Sequence, residues 1–150
     1  MKKKVDVNKI VIRKTKKNDY AAVSFILRTS KLVDDWFTEK LFQKMLARNC
    51  GSYFVAIING LIVGTVFSAN DGGYFGFIYK MAVLPRHQHK GIASALVRRA
   101  VKNLHDNGID WYFATVDKSN SASLGVLAKH GMHPNKQFYM VDRWENVDKD

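Results

Sequence analysis

The sequence predicts one mixed α/β domain: a central mixed, mostly antiparallel sheet with helices on both faces. Three observations predict it. At 150 residues and 17.1 kDa the chain has enough length for one core and too little for two. Its composition, 47% hydrophobic and 25% charged, is that of a folded domain. Its apolar residues recur first at helical spacing, then in hairpin-like strands, and finally as strand, helix, strand, helix, strand.

The elements follow in chain order. Residues 1–9 form a basic arm, and residues 10–150 form the domain. Ile10-Val11-Ile12 is a short β-rich run. Asn18 offers a side-chain oxygen to start a helix, behind which Ala22, Val23, Ile26 and Leu27 share one face. Trp36 to Arg48 reads as a second helix, with Phe37, Leu41, Met45 and Leu46 on its apolar side. Tyr53–Ile58 and Leu61–Ala69 are strands joined by Asn59-Gly60, a strong two-residue hairpin signal. Asp71-Gly72-Gly73 turns the chain into a long aromatic strand, Tyr74 to Val83, which Pro85 stops. Helical spacing returns from Ile92 to Leu104 and ends at Asn107-Gly108. Trp111 to Val116 is the next strand. The polar stretch Asp117 to Ser121 opens a short helix closed by Gly131, and Lys136 to Trp144 contains a final strand.

Charge and cysteine narrow the function classes. Of the net +11, +7 lies in residues 1–17, so the body is only mildly basic. The arm reads as a solvated extension; contact with nucleic acid or anionic lipid is the alternative. No apolar run approaches the ~20 residues of a membrane span. Charge interrupts the stretch after Lys2-Lys3-Lys4, so no secretory signal is expected and the cytoplasm is the expected location. The single cysteine, Cys50, cannot form an internal disulfide.

The chemistry concentrates at one strand–loop–helix junction, Met81 to Leu96. A strand ends, the basic loop Arg86-His87-Gln88-His89-Lys90 follows, Gly91 comes next, and a helix begins. The first amides of a helix lack intrahelical partners and carry the positive end of its dipole. Gly91 lets the backbone approach a ligand closely, and Ala93 adds little bulk. From Lys80 to Lys102 there are six basic residues and no acid. This pattern predicts an anion site, for a phosphate group in particular. The loop lacks both the lysine–serine ending of a nucleotide-triphosphate loop and the three-glycine dinucleotide fingerprint. His87 and His89 have no cysteine or carboxylate beside them, so no metal is expected.

Gln88-His89-Lys90-Gly91-Ile92-Ala93 resembles the Gln/Arg-x-x-Gly-x-Gly/Ala loop of the GNAT acetyltransferase superfamily, flanked as there by Ala82-Val83-Leu84-Pro85 and by Leu96 on a helix. Asn120, Ser123, Lys129, Gly131 and Met132 are similar to that family's second pattern. The resemblance implies a GNAT-type fold that binds acetyl-CoA without metal. It implies acetyl transfer to a primary amine, on a small molecule or on a peptide or protein, within a ternary complex. Gln88, His89, Lys90, Gly91, Ile92, Ala93 and Ser94 would hold the pyrophosphate. The backbone of Met81, Ala82 and Val83 would pair with the pantetheine arm. Asn120 and Ser123 would face the acetyl end or pantetheine, and Lys129 would help hold a phosphate.

Two family features are missing. Leu127 stands where many members carry a tyrosine that protonates the thiolate, and the strand Tyr74–Lys80 has no glutamate. Tyr79, Asn120 and Tyr139 are the substitute catalytic candidates. Asp34, Asp35 and Asp71 are carboxylates that could attract an amine, and equally ordinary helix-start and turn residues. Two alternatives follow: a catalytically silent CoA-binding regulator of the same fold, or a basic nucleic-acid-binding module. Dimerisation is common among relatives and is carried here by analogy alone.

Overall fold

A computed structural model describes residues 9–49 and 51–143. The basic arm except Lys9, together with Cys50 and Trp144, lies outside the described residues. Among the described residues five strands form one sheet in sequential order: β1 (Val11–Lys14), β2 (Tyr53–Ile58), β3 (Leu61–Asn70), β4 (Phe75–Val83) and β5 (Trp111–Ala114). The first four pair antiparallel, and β5 runs parallel to β4. Among the described residues four helices flank it: α1 (Tyr20–Thr29), α2 (Glu39–Arg48), α3 (Ile92–Asp106) and α4 (Ser121–Lys129).

Strand alternation divides the apolar residues between two cores. Phe54, Ala56 and Ile58 of β2 face Leu96, Ala100 and Leu104 of α3. Tyr53 and Val55 face Val23, Ile26 and Leu27 of α1, Phe37 of the α1–α2 loop and Phe42 of α2. The hairpin β2–β3 turns at Asn59 (φ 50°) and Gly60 (φ 78°), as the Asn-Gly pair predicts. Gly76 is a packing glycine. A Cβ there would lie 2.6 Å from Leu104 Cδ2, so α3 sits on β4 more closely than any side chain would allow.

Several boundaries differ from the sequence reading. Asn18 does not cap α1; it lies within a single 3-10 turn, Lys17–Asp19. Asp19 organises this entry instead. Its carboxylate accepts from the Lys16 amide at 2.7 Å and from both terminal nitrogens of Arg13 at 2.6 and 3.0 Å, tying β1 to α1. The second helix begins at Glu39, because Thr38 Oγ1 accepts from the Leu41 amide; Trp36 stays in the loop. β5 ends at Ala114, two residues early. The final strand expected within Lys136–Trp144 does not form among the described residues: 139–143 is irregular, and Phe138–Val141 are exposed. A strand needs a neighbour for its ladder, and among the described residues no strand pairs with this segment. Among the described residues no helix is long and apolar enough to cross a membrane.

Burial opposes the charged form of Asp19, but the Arg13 hydrogen bonds, the Lys16 amide and the nearby positive charges outweigh it. Its pKa therefore falls below the ordinary carboxylate value. A carboxylate with a depressed folded pKa contributes stability above its unfolded pKa and loses it as pH falls through the folded one. Thermal melts from about pH 5 down to about pH 2 are expected to show a steeper loss for the wild type than for Asp19→Asn. The variant is expected to melt lower at neutral pH. Parallel curves would show that the Arg13–Asp19 link does not contribute.

Candidate active site

The site arises where β4 and β5 part. They pair from Phe75↔Trp111 to Ile78↔Ala114, and no further. β4 continues to Val83 while the chain after Ala114 turns away. On its other side β4 carries an irregularity: Tyr79 pairs with Phe67 and Ala82 with Thr65, so two residues, Lys80 and Met81, oppose Val66 alone. Lys80 has φ +52°, and this local bulge turns β4 away from β5. The backbone of 79–83 thus presents an edge without a strand neighbour on the β5 side.

The loop after β4 is braced from within. Leu84 N–H donates to Val63 O at 2.8 Å, and Gln88 Nε2 donates to Val83 O at 3.1 Å. Pro85–His87 form one 3-10 turn. His89 (φ 60°) and Gly91 (φ 81°) take left-handed conformations that aim the chain into α3. A Cβ on Gly91 would meet nothing within 4 Å, so the space above this turn is open for a ligand. At the other wall, Asn120 caps α4 by accepting from the Ser123 amide at 3.0 Å. Ser94 Oγ of α3 and His130 Nε2 after α4 lie 2.9 Å apart, linking the two helices. Burial, then the Arg98 charge, lowers the His130 pKa, so the ring is neutral at pH 7.

These elements enclose a cleft of about 680 Å³. Met81, Ala82, Val83, Gln88, His89, Gly91, Ile92, Ala93, Ser94, Asn120, Ser123 and Lys129 all line it; Lys90, which is exposed, does not. The end of β4, the loop after it, the start of α3 and one side of α4 are therefore brought to one place. A contiguous inner recess of about 100 Å³ shares Leu32, Met81, Asn120 and Ser123 and adds Tyr79, Thr115, Asp117 and Leu127.

Tyr79 lies in this recess, half-buried, with its hydroxyl 3.1 Å from that of Tyr53 and its ring stacked on Phe77 at 5.0 Å. Burial raises the Tyr79 pKa despite an opposing contribution from the Tyr53 hydrogen bond, so the phenol keeps its proton at neutral pH. Asn120 has its side-chain oxygen engaged in the cap, leaving the amide NH2 for a ligand. Tyr139 is not brought to the cleft: it stands 96% exposed on the irregular C-terminal segment. Its expected place depended on a strand that does not form.

Two contributions escaped the sequence reading. Asp117 reaches the recess from the loop after β5. The Ser119 hydroxyl at 2.5 Å, with the Ser119 amide at 2.8 Å, holds its pKa below the usual carboxylate range. The available signal was its position just past the carboxyl end of a parallel strand, where crevices open in such sheets. The second is the end of α1 and the loop after it, whose Thr29, Ser30 and Leu32 form the opposite wall. Lys80 fastens it: Nζ donates to Leu32 O at 2.5 Å and lies 5.3 Å from the Trp36 ring centroid. Asp34, Asp35 and Asp71 line neither part of the cleft. Asp35 pairs with Arg28 at 3.1 Å, and Asp71 accepts from the amides of Gly73, Tyr74 and Phe75.

The sequence profile of the acetyltransferase (GNAT) family matches residues 16–132. Acetyltransferase ECA0875 of Pectobacterium atrosepticum is 30% identical over 119 residues, covering 79% of this chain and 84% of the relative. Among solved structures, Ard1 from Thermoplasma volcanium superposes with a TM-score of 0.73 at 21% identity, covering 81% of each chain. A protein from Clostridium acetobutylicum described as a predicted acetyltransferase and solved with acetyl-CoA superposes with a TM-score of 0.71 at 17% identity, covering 89% of this chain and 96% of its own.

Replacing Lys80 with Met should free the 31–37 loop while leaving the sheet intact. A hydrogen bond from a charged donor contributes about 1.5–3 kcal/mol. Amide hydrogen exchange across 31–37 is therefore expected to speed up about tenfold or more, with little change elsewhere. Unchanged exchange would show that other contacts hold the loop.

Proposed function

The chain belongs to the GNAT acetyltransferase family, which uses acetyl-CoA, and from that membership we propose that it is an N-acetyltransferase acting on a primary amine by direct transfer in a ternary complex. The observation that carries this reading is the free edge of β4 at 79–83 lying beside the glycine-opened start of α3. A ligand with an amide-bearing arm and a pyrophosphate needs that pairing edge and that anion cradle side by side.

In this reading the amides of Gln88 to Ser94 receive the pyrophosphate, and Lys129 adds a charge. The backbone of Met81 to Val83 pairs with the pantetheine amides, with the Val83 region polarising the acetyl carbonyl. The bound thioester supplies an activated acyl group with a good leaving group. Asp117 stays ionised and draws the ammonium form of the acceptor into the recess; its lowered pKa makes it an attractor rather than a base, so the amine proton leaves to water. Tyr79, protonated at neutral pH, donates to the departing sulfur and recovers its proton from solvent. Asn120 uses its amide NH2 on the acyl arm. A cytoplasmic setting belongs to the same proposal, following from the expected substrate.

Leu127 supports a second reading. It is buried in the recess where many relatives carry the acid tyrosine, which suits a protein that binds CoA without turnover.

Calorimetric titration with acetyl-CoA and an amine panel separates the two readings. Saturable binding near 1:1 with transfer to an amine supports the enzyme; binding without transfer supports the regulator. Gly91→Glu is expected to weaken acetyl-CoA at least tenfold, through a strained left-handed residue and a like charge in the anion cradle. Unchanged affinity in the folded variant would remove the pyrophosphate from this loop. Tyr79→Phe is expected to lower kcat by about 100-fold with little effect on acetyl-CoA binding, the size of a general-acid contribution. An unaffected kcat would discard Tyr79 as the acid.

A further inference from the structure

A line of polar side chains runs behind Tyr79. It starts at Asn49, just past the end of α2, passes through Tyr53 of β2 and reaches Tyr79 of β4, which lines the recess. Tyr53 is buried, with its ring stacked on Phe67, and its hydroxyl lies 3.1 Å from that of Tyr79. The Asn49 side-chain amide hydrogen-bonds the same Tyr53 hydroxyl, and its Nδ2 donates to Met45 O at 3.3 Å. Three elements distant in sequence thus meet in one hydrogen-bonded chain that ends at the recess.

The direction of this chain follows from its donors. Met45 O can only accept, so the Asn49 group on that side is the NH2. Its second hydrogen is left for Tyr53, whose oxygen accepts it. A donor in that place favours the phenolate, and Asn49 does oppose the rise that burial and then Tyr79 impose on the Tyr53 pKa. Tyr53 has one hydrogen of its own, and among the described residues its other hydroxyl partner is Tyr79. A buried hydroxyl hydrogen without an acceptor is costly, so this one goes to Tyr79 Oη. The Tyr79 hydrogen is then left for the recess. Had the Asn49 oxygen faced Tyr53, the chain would run the other way and draw the Tyr79 hydrogen back into the core.

We propose that Asn49 and Tyr53 are positioning residues for Tyr79, an inference that rests on the reading of Tyr79 as the acid for the departing sulfur. They aim its hydrogen into the recess, and Tyr53 holds the phenolate oxygen that remains. Tyr79 gives its proton to the sulfur as the C–S bond breaks and the electron pair of that bond goes to sulfur. The Tyr53 hydrogen is already directed at the oxygen that becomes anionic, so nothing has to reorient at that moment. Water takes the surplus proton of the new amide nitrogen, and Tyr79 regains its own from solvent. Burial raises the Tyr79 pKa and the Tyr53 hydrogen bond opposes that rise, so Tyr53 offsets part of what burial costs the phenolate.

The test uses CoA, whose bound thiolate is read by its ultraviolet absorbance, so no acceptor amine is needed. Tyr79→Phe is expected to lower the thiolate-to-thiol ratio of bound CoA by about tenfold, the size of one hydrogen bond to a charged group. Tyr53→Phe keeps the stacked ring and is expected to lower the ratio by about threefold, because the Tyr79 hydroxyl loses the donor that polarises it. Asn49→Leu, which removes the amide that fixes the direction, is expected to lower it by a similar factor. Neither should change the ratio further on top of Tyr79→Phe, since both act through its hydroxyl. A ratio that falls with Tyr79→Phe but ignores Tyr53→Phe or Asn49→Leu would overturn the positioning and leave the acid standing. So would losses that persist in full without the Tyr79 hydroxyl. A ratio that ignores Tyr79→Phe would remove the acid and the positioning together, and a wild type that does not bind CoA would remove the acetyl-CoA reading beneath both.

Discussion

The parting of β4 from β5 is the constraint on which the rest of this molecule depends. Parallel strands hold together only while their backbones stay in register, and here the register ends at Ile78↔Ala114. Past that point the bulge at Lys80 and Met81 turns β4 one way, and the chain after Ala114 turns the other. The cleft and its recess lie in the gap. Among the described residues the backbone of 79–83 has no strand neighbour on that side, the recess beneath it receives Tyr79 and Asp117, and the start of α3 closes one end.

A gap in a sheet is costly unless its walls are held, and each wall is fastened by a different polar contact. Gln88 Nε2 reaches back to Val83 O on the loop side, Ser94 meets His130 between the two helices, and Lys80 grips Leu32 on the α1–α2 side. Beneath them lies an aromatic base, with Tyr53 stacked on Phe67 at 4.4 Å and both in contact with Tyr79. This base keeps the Tyr79 ring in one place and surrounds its hydroxyl with enough low-dielectric material to retain its proton. Packing and acid–base character are thus set by the same residues.

The helices show how local sequence is redirected by partners. Asn18 and Trp36 each carry local signals for a helix start. Asn18 lost to Asp19, which offers a full charge to Arg13 and a carboxylate oxygen to the Lys16 amide; Trp36 was left to the loop by the Thr38 cap. The C-terminal segment is the counterpart for strands. Its composition favours extension, but extension becomes a strand only when a ladder partner is present.

The sequence by itself determined the order of elements from β1 to α4, the hairpin at Asn59-Gly60, the two-faced apolar alternation and the left-handed Gly91 turn into α3. These rest on near-neighbour physics: period, turn chemistry, and the amides that any helix leaves unpaired at its start. Tertiary structure alone decided which distant residues share the cleft. Asp117 enters from the loop after β5, Leu32 from a loop some fifty residues before Met81, and Tyr139 stays out. No local pattern encodes where two strands separate or which edge remains open, because both depend on pairing between segments far apart in the chain.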